Sequence, residues 1–278
     1  MIPKFKCSKC GRCCSHIRGR ISEDEKKFLE KYAYGKLPLV QLLPVEKMSF
    51  PLFDFEAKRF RQWEKEAKID AKITPSRVIF DLNSGKSVIF TYYMDYNSCP
   101  FLKRSETQSV SGTQKSKAFL GDNQCLIYNK KRAFVCRVFP FNKGPFLKTG
   151  EEFKKEDMFG TCPAIKEILP KLNNKDRKEI VKQLYEAFGD DFLNIIEYDY
   201  LTEWINKLIT KLIKDKKIRP AMNYPYKYLI KRIANSEKID LMDFLVQQKI
   251  KTREEIETLI KRFDNNIDGK EQLKGFLE

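Results

Sequence analysis

The stretch RVIFDLNSGKSVIFTYY, residues 77–93, carries the clearest structural pattern in the chain. Residues 77–82 and 87–93 are rich in β-branched and aromatic side chains, which favour strands. Between them lie Asn83, Ser84, Gly85 and Lys86, a combination typical of a tight turn. The sequence therefore predicts a β-hairpin, which leads the chain towards Cys99 and Pro100.

Helical patterns lie on both sides of this hairpin. Ser22 and Glu25 form a capping box that predicts a helix to about residue 34, and residues 55–69 have the pattern of a charged helix. Gly189 predicts a helix end. Beyond it, apolar residues recur at helical spacing at Leu201, Trp204, Ile205, Leu208, Ile209, Leu212 and Ile213. Because Lys207, Lys211 and Lys214 lie off this stripe, we expect the helix to pack on its own domain, with a membrane or an acidic partner as the alternatives.

These elements predict an α+β protein with two regions. Residues 1–170 form a cysteine-rich metal-cluster domain with a β-hairpin and short helices, and residues 171–278 form a helical C-terminal region. The segment 103–124, rich in Ser, Thr, Gln and Lys, predicts a surface loop inserted between two cysteine positions.

Composition limits the class of protein. The chain has 278 residues, of which 42% are apolar, and its 21 Phe and 12 Tyr exclude a wholly disordered protein. Residues 1–170 contain 32 basic and 19 acidic residues, whereas residues 171–278 contain 22 and 19. The excess of positive charge in the first region either offsets bound thiolates or attracts nucleic acid.

The lengths of the apolar segments bear on the cellular compartment of the protein. No apolar stretch approaches the ~20 residues that a membrane span needs. The first seven residues, MIPKFKC, lack the apolar core of a secretory signal. We therefore expect a cytoplasmic protein with reduced cysteines, and in that compartment clustered thiols bind metal more often than they form disulfides.

Several kinds of site are excluded or disfavoured by missing residues. A single histidine, His16, rules out two-histidine zinc fingers, and a Ser-His-Asp triad would have to use it. No two glycines have the GxG spacing of nucleotide-binding loops, and the radical-SAM spacing CxxxCxxC is absent. Residues 264–269 (DNNIDG) match the first half of a calcium loop, but Gly275 stands where the bidentate Glu is required. This stretch therefore predicts a solvated turn between two helices.

The cysteines carry the strongest functional signal. Cys7, Cys10, Cys13 and Cys14 form the pattern CxxCxxCC, whose two-residue gaps let sulfur atoms converge while the turning backbone donates N–H groups to them. The CxxCxxC part is typical of iron–sulfur sites, whereas zinc knuckles usually take two cysteines from each of two loops. Because adjacent side chains point in different directions, we expect Cys13 or Cys14 to face a second site or to be a buried spare. His16 is a further candidate ligand or base.

The other four cysteines are dispersed, at Cys99-Pro100, Cys125, Cys136-Arg137 and Cys162-Pro163. Together with the N-terminal group they allow one four-cysteine centre with accessory thiols, or two such centres. Eight ordinary buried cysteines would not explain four within eight residues. Arg137 is expected either beside the sulfur atoms or paired with a surface carboxylate, and Tyr128 is expected to be a packed aromatic.

Four ordered blocks within residues 5–165 resemble a known family. They are residues 7–14, residues 99–102 (CPFL), residues 125–140 (CLIYNKKRAFVCRVFP) and residues 162–163. The pattern is similar to the CxxCxxCC cysteine-cluster family of YkgJ type, described as zinc- or iron-chelating and often labelled Fe–S oxidoreductase. The chain departs from it at Arg132-Ala133, where the family usually has Arg-Pro, and in the longer segment before Cys125. By resemblance, the chelating set would be Cys7, Cys10, Cys13, Cys14, Cys99, Cys125, Cys136 and Cys162.

The sequence thus predicts a protein that binds an iron–sulfur cluster, with one four-iron (4Fe-4S) centre, and serves electron transfer or an oxidoreductase reaction with a redox or protein partner. The alternative cofactor is zinc, in a structural module that contacts a protein or nucleic acid. The flagellin lysine methylases carry a similar cysteine cluster, which adds protein methylation as a minor alternative. No catalytic residue can be named from the sequence.

Overall fold

The computed structural model describes residues 2–15, 17, 23, 39–44, 47, 51–103, 124–130, 132–141, 159–160, 162–172, 176–222 and 224–278. His16, nearly all of the predicted helix from Ser22 and most of the segment 103–124 lie outside the described residues. The strands are β1 Val40–Gln41, β2 Leu52–Phe53, β3 Ile73–Phe80, β4 Ser87–Met94, β5 Leu102–Lys103, β6 Gln124–Cys125 and β7 Lys238–Asp240. The helices are α1 Arg12–Ser15, α2 Asp54–Ala67, α3 Phe134–Arg137, α4 Arg177–Phe188, α5 Asp190–Lys214, α6 Tyr226–Asn235, α7 Leu241–Gln247, α8 Arg253–Asp264 and α9 Ile267–Leu277. The predicted α+β class with a helical C-terminal region is confirmed.

The chain divides into two compact units, each assembled from separate segments. The first, here called the cysteine unit, comprises Met1–Ser15, Phe101–Trp204 and Lys261–Glu278. The second, the sheet unit, comprises His16–Pro100 and Ile205–Ile260. Residue 170, at which the sequence pattern changes, lies within the cysteine unit.

The sheet unit is built around the predicted hairpin. Strands β3 and β4 pair antiparallel, with Val78 opposite Ile89 and Phe80 opposite Ser87, and the sheet order is β1-β3-β4-β2. Strand β7 pairs in parallel with β4. All eight residues of β4 are buried, as expected of a central strand, and helices α2 and α7 pack against it. The predicted hairpin and the charged helix are confirmed, with β3 beginning four residues earlier than the pattern indicated.

The side chain of Asp81 organises the hairpin turn. It is 1% exposed and accepts hydrogen bonds from the backbone N–H groups of Asn83 and Ser84, at 3.2 and 3.1 Å, and from the Ser84 hydroxyl at 2.7 Å. Gly85 adopts a φ of +69°, which its lack of a Cβ allows. The Asp81 carboxylate also accepts the N–H of Arg219 at 2.8 Å, so one side chain connects the turn to residue 219.

The core of the cysteine unit is rich in phenylalanine. Rings of Phe141, Phe159, Phe188 and Phe192 contact one another at centroid distances of 4.8 to 5.8 Å. Apolar residues of α4, α5 and α9 complete this cluster. Gly189, at a φ of +54°, ends α4 as predicted and lets α5 begin at Asp190.

Helix α5 carries the apolar stripe that the sequence predicts. Leu201, Ile205, Ile209 and Leu212 are buried, while the lysines at 207, 211 and 214 are exposed. The stripe is therefore used in packing within the protein. In the part of the chain that the structure describes, no helix is both long enough and apolar enough to cross a bilayer.

The turn between α8 and α9 is solvated only in part, at the exposed Asn265, whereas the sequence predicts a solvated turn. Asn266 and Asp268 are only 7 and 6% exposed, and Asn266 Nδ2 donates to Asn194 Oδ1 at 3.1 Å. Arg262 donates to Asp268 at 2.8 Å. The polar residues of this turn face other polar side chains of the cysteine unit, which no pattern within residues 264–269 could reveal.

Candidate metal centre

The segment before the cysteine run is fixed to helix α4. The N–H of Phe5 donates to the carbonyl of Ala187 at 2.8 Å, and the Phe5 ring stacks on Phe188 at a centroid distance of 4.9 Å. Residue 5 is thereby held at the C-terminal end of α4, and Cys7 follows two residues later.

The cysteine run itself turns tightly and then forms one helical turn. Lys9 and Gly11 have φ values of +52° and +71°, in the left-handed region that reverses the chain. The N–H groups of Cys14 and Ser15 both donate to the carbonyl of Gly11, at 3.0 and 2.8 Å, at the start of α1. Residues 7–11 thus form the predicted turn-rich loop, with a short helix after it.

Cys13 and Cys14 do not point apart, contrary to the prediction. Their sulfur atoms are 3.7 Å from each other. Both residues lie in α1, where successive side chains are separated by about 100° rather than by the 180° of an extended chain. The contact with Cys14, followed by burial, raises the pKa of the Cys13 thiol far above its usual range.

Two further cysteines come from distant segments of the cysteine unit. Cys125 lies in β6 opposite Leu102 of β5, and its carbonyl accepts the N–H of Tyr128 at 3.1 Å, which closes a turn. Cys162 precedes a short 3₁₀-helix, Pro163–Ile165, and its N–H donates to the Gly160 carbonyl at 2.8 Å.

The thiols of Cys7, Cys125 and Cys162 share one local arrangement. The backbone N–H two residues further along the chain donates to the sulfur in each case, from Lys9 to Cys7, from Ile127 to Cys125 and from Ala164 to Cys162. Hydrogen bonds of this kind favour a thiolate over a thiol. In all three, however, burial is the larger effect and raises the pKa of the thiol above its ordinary value.

The thiols also influence one another across these segments. Besides burial, Cys13 and Cys10 raise the pKa of the Cys7 thiol, and Cys13 raises that of Cys125. Cys10 and Cys7 raise the pKa of the Cys162 thiol in the same way. Counting the contact between Cys13 and Cys14, the structure connects six of the eight predicted site residues, namely Cys7, Cys10, Cys13, Cys14, Cys125 and Cys162.

A positive charge lies beside this group of thiols. The guanidinium of Arg132 opposes the rise in pKa of Cys7, Cys13 and Cys125, because a nearby cation favours the thiolate. It lies over the ring of Tyr128, with its central carbon 4.5 Å from the ring centroid, and Lys9 Nζ is 5.4 Å from the same centroid. Tyr128 is 37% exposed and flanked by cations, so it is less packed than the sequence predicted.

The sequence instead predicts that another arginine, Arg137, lies beside the sulfur atoms or pairs with a surface carboxylate. Arg137 Nη1 donates to Asn194 Oδ1 at 3.2 Å, and its guanidinium carbon is 4.1 Å from the Phe134 ring centroid. It also lowers the pKa of the buried Glu197. In the sequence, Arg132 stands out only as a departure from the family pattern, and its place four residues after Tyr128 is the one signal of this contact.

The remaining two cysteines are placed differently. Cys136 is partly buried in helix α3, with its N–H bonded to the Ala133 carbonyl at 2.9 Å. Cys99 belongs to the sheet unit and is 8% exposed. All eight cysteines lie in the described part of the chain, and all are free thiols.

The donor chemistry of the group suits a thiophilic metal, but its sulfur atoms are not gathered to ligation distance. Among the described residues, no three Cys, His, Asp or Glu side chains lie close enough together to hold one metal ion. The fit of the group to a metal is therefore chemical: it has six thiols, backbone N–H groups that lower the pKa of three of them, and an arginine that offsets thiolate charge. Ligation would require the thiols to move together.

Comparison with known proteins adds no relative to this description. No family model matches the chain, and no match was found among the curated proteins or the solved structures.

Proposed function

We propose that the protein binds an iron–sulfur cluster through its N-terminal cysteine group and serves in electron transfer or an oxidoreductase reaction. The observation that carries this proposal is that one compact unit holds thiols from three separate segments, residues 7–14, Cys125 and Cys162, and that thiols of the first segment raise the pKa of the other two. The resemblance of these segments to the CxxCxxCC family supports it.

The proposed ligand set takes its thiols from these three segments. Cys7, Cys10 and one of Cys13 and Cys14 would come from the N-terminal run, with Cys125 or Cys162 completing the set. Arg132 would reduce the repulsion between thiolates, and the N–H groups of Lys9, Ile127 and Ala164 would stabilise charge on sulfur. A bound iron–sulfur cluster supplies one-electron transfer, with a potential that depends on such hydrogen bonds.

Iron–sulfur chemistry is favoured over zinc because of the number and spacing of the thiols. A structural zinc site takes four ligands, usually two from each of two loops. Here four cysteines lie within eight residues, and they raise the pKa of two more thiols, those of Cys125 and Cys162. Zinc bound by four of these cysteines, in a module that contacts a protein or nucleic acid, is the competing function.

The experiment is a measurement of iron, zinc and acid-labile sulfide in protein purified without oxygen from cells supplied with both metals. We expect iron and sulfide in matching amounts, absorbance from sulfur-to-iron charge transfer, and loss of both signals in Cys7→Ser and Cys10→Ser. Because the thiols of Cys10 and Cys7 act on the pKa of Cys162, which we place in the ligand group, Cys162→Ser should also lower the iron content.

The matched control is Ser8→Ala, an exposed change within the same run that removes no thiol. It should retain the iron and sulfide of the unmodified protein. Zinc without sulfide would overturn the iron–sulfur proposal and leave the zinc module. Absence of both metals, before and after anaerobic reconstitution, would overturn metal binding altogether.

A further inference from the structure

Exposed aromatic side chains cluster in the sheet unit between the end of α5 and the first turns of α6. Met222, Tyr224 and Tyr228 are 44, 40 and 47% exposed. The rings of Tyr224 and Tyr228 are parallel, with centroids 5.7 Å apart and planes inclined by 8°. Large apolar side chains that gather at a surface mark interaction sites more often than scattered ones do.

A cation is held beside these rings. The guanidinium carbon of Arg232 is 5.3 Å from the centroid of Tyr228 and 5.8 Å from that of Phe80 at the end of β3. Arg232 follows Tyr228 by four residues in α6, so both lie on the same exposed face of the helix. The arginine therefore places a positive charge beside the pair of rings.

The surrounding surface is strongly positive. Residues 214–232 contain seven basic residues and one acidic residue, Asp215, which pairs with Lys211 at 2.6 Å. None of the seven forms an ion pair with any residue that the structure describes, and all are exposed: Lys214, Lys216, Lys217, Arg219, Lys227, Lys231 and Arg232. Their charge is thus available to an anionic partner.

The hairpin turn holds this surface in place. The backbone N–H of Arg219 donates to Asp81 Oδ1 at 2.8 Å, and the carbonyl of Arg219 accepts the N–H of Leu82 at 2.8 Å. Helix α6 buries Leu229 and Ile233 and packs against β3. The aromatic-basic surface, defined as Arg219, Tyr224, Lys227, Tyr228, Lys231 and Arg232, is therefore anchored to the sheet at both ends.

We infer that the aromatic-basic surface binds single-stranded nucleic acid. Unpaired bases stack on exposed aromatic rings, and phosphates are attracted to neighbouring lysines and arginines. The parallel rings of Tyr224 and Tyr228 favour planar bases over an acidic peptide or an anionic membrane, which would use the cations but not the ring faces. This activity goes beyond metal binding and uses residues of the sheet unit alone.

The test is fluorescence anisotropy of labelled single strands of about 12 nucleotides, RNA and DNA, with the full chain. Affinity should fall roughly 20- to 100-fold between about 50 and about 200 mM salt, for three to five phosphate contacts. Tyr228→Ala should weaken binding about 10-fold, whereas Tyr228→Phe should bind as the unmodified protein does, because the stacking ring remains. Lys227→Gln with Lys231→Gln should reduce the salt dependence.

Tyr185→Ala is the matched control, because Tyr185 is 41% exposed but lies in helix α4 of the cysteine unit. It should bind as the unmodified protein does, and all variants should keep the same melting temperature. Binding that is independent of salt, or unchanged in both Tyr224→Ala and Tyr228→Ala, would overturn the inference. So would binding to vesicles of anionic lipid that these variants abolish while oligonucleotide binding stays unaffected.

Discussion

Glu197 is a carboxylic acid enclosed by the helices of the cysteine unit. It is 0% exposed, its Oε2 accepts the N–H of Gly269 at 2.5 Å, and its Oε1 has no hydrogen-bond partner among the described residues. Gly269 permits this contact, since a Cβ there would lie 3.1 Å from Glu197 Oε2 and from the Leu193 carbonyl. The pKa of Glu197 is raised from 4.5 to about 7, mainly by burial and also by Asp268, while the Gly269 N–H, Arg137 and Arg262 oppose the rise.

This raised pKa predicts that Glu197 makes stability depend on pH. The folded protein holds the proton more tightly than the unfolded chain, so the stabilising contribution is complete below about pH 4.5 and is lost as pH rises through about 7. Between about pH 5 and pH 8, this group should lower the free energy of unfolding by roughly 2–3 kcal/mol. Glu197→Gln, which imitates the protonated acid, should remove that part of the dependence in urea unfolding measured across this range.

The matched control is Glu186→Gln, on the exposed side of α4. It should keep the pH dependence of the unmodified protein. If Glu197→Gln kept that dependence too, Glu197 would be ionised in the folded protein and its burial would be compensated in another way.

At the scale of the element, the hairpin turn depends on one side chain. Asp81 accepts hydrogen bonds from Asn83, Ser84 and Arg219 while almost fully buried. Asp81→Ala would leave these N–H groups without their acceptor, and we expect it to lower the free energy of unfolding by roughly 2–4 kcal/mol. Chemical denaturation of the full chain measures this change.

Asn83→Ala serves for comparison within the same turn. Asn83 uses its backbone N–H towards Asp81, and its exposed side chain donates only to the Lys216 carbonyl at 3.1 Å. We expect a loss of about 1 kcal/mol or less. Equal losses in the two variants would show that the turn does not rely on the Asp81 carboxylate.

The hairpin was predictable because its signals are local. Strand-forming residues surround a turn with glycine at position 85, where a positive φ is required. Strand β7 was not predictable from the sequence, because Lys238–Asp240 is only three residues long and its partner β4 lies about 150 positions earlier in the chain. A strand this short shows no alternation, so only its partner defines it.

The candidate site likewise has one part that the sequence predicts and another that it does not. Two-residue gaps predict that Cys7, Cys10 and Cys13 lie together, since a tight turn alone produces this. The approach of Cys162 to Cys7 and Cys10 depends on how the cysteine unit packs, and the position of Arg132 depends on the turn that follows Cys125. Neither position can be predicted from the spacing of residues in the sequence.

At the scale of the whole molecule, both units are discontinuous in sequence. The core of the cysteine unit joins Phe141 and Phe159 to Leu184, Phe188 and Phe192, which lie beyond residue 170. A fragment of residues 1–170 would lack that half of the core, and it would also lack strand β7 and helices α6 and α7 of the sheet unit. The domain boundary near residue 170 remains a prediction from sequence patterns. It does not coincide with any boundary between the two units.

We therefore expect the fragment 1–170 to show no cooperative unfolding transition, because much of the apolar surface of both units would stay in water. Circular dichroism during thermal unfolding, compared with that of the full chain, measures this. A cooperative transition in the fragment, together with dispersed amide signals in its NMR spectrum, would contradict the expectation and would make residues 171–278 dispensable for folding.

The anchoring of Phe5 on Ala187 and Phe188 has a consequence during synthesis on the ribosome. Cys7 to Cys14 leave the ribosome before the thiol of Cys162 and before the end of the helix that fixes them. At about 5–20 residues per second, the interval between Cys7 and Cys162 is roughly 8–30 s. For that time the thiols of residues 7–14 are open to oxidants and to stray metal ions, because the group is complete only after Cys162 and the end of α4 have been made.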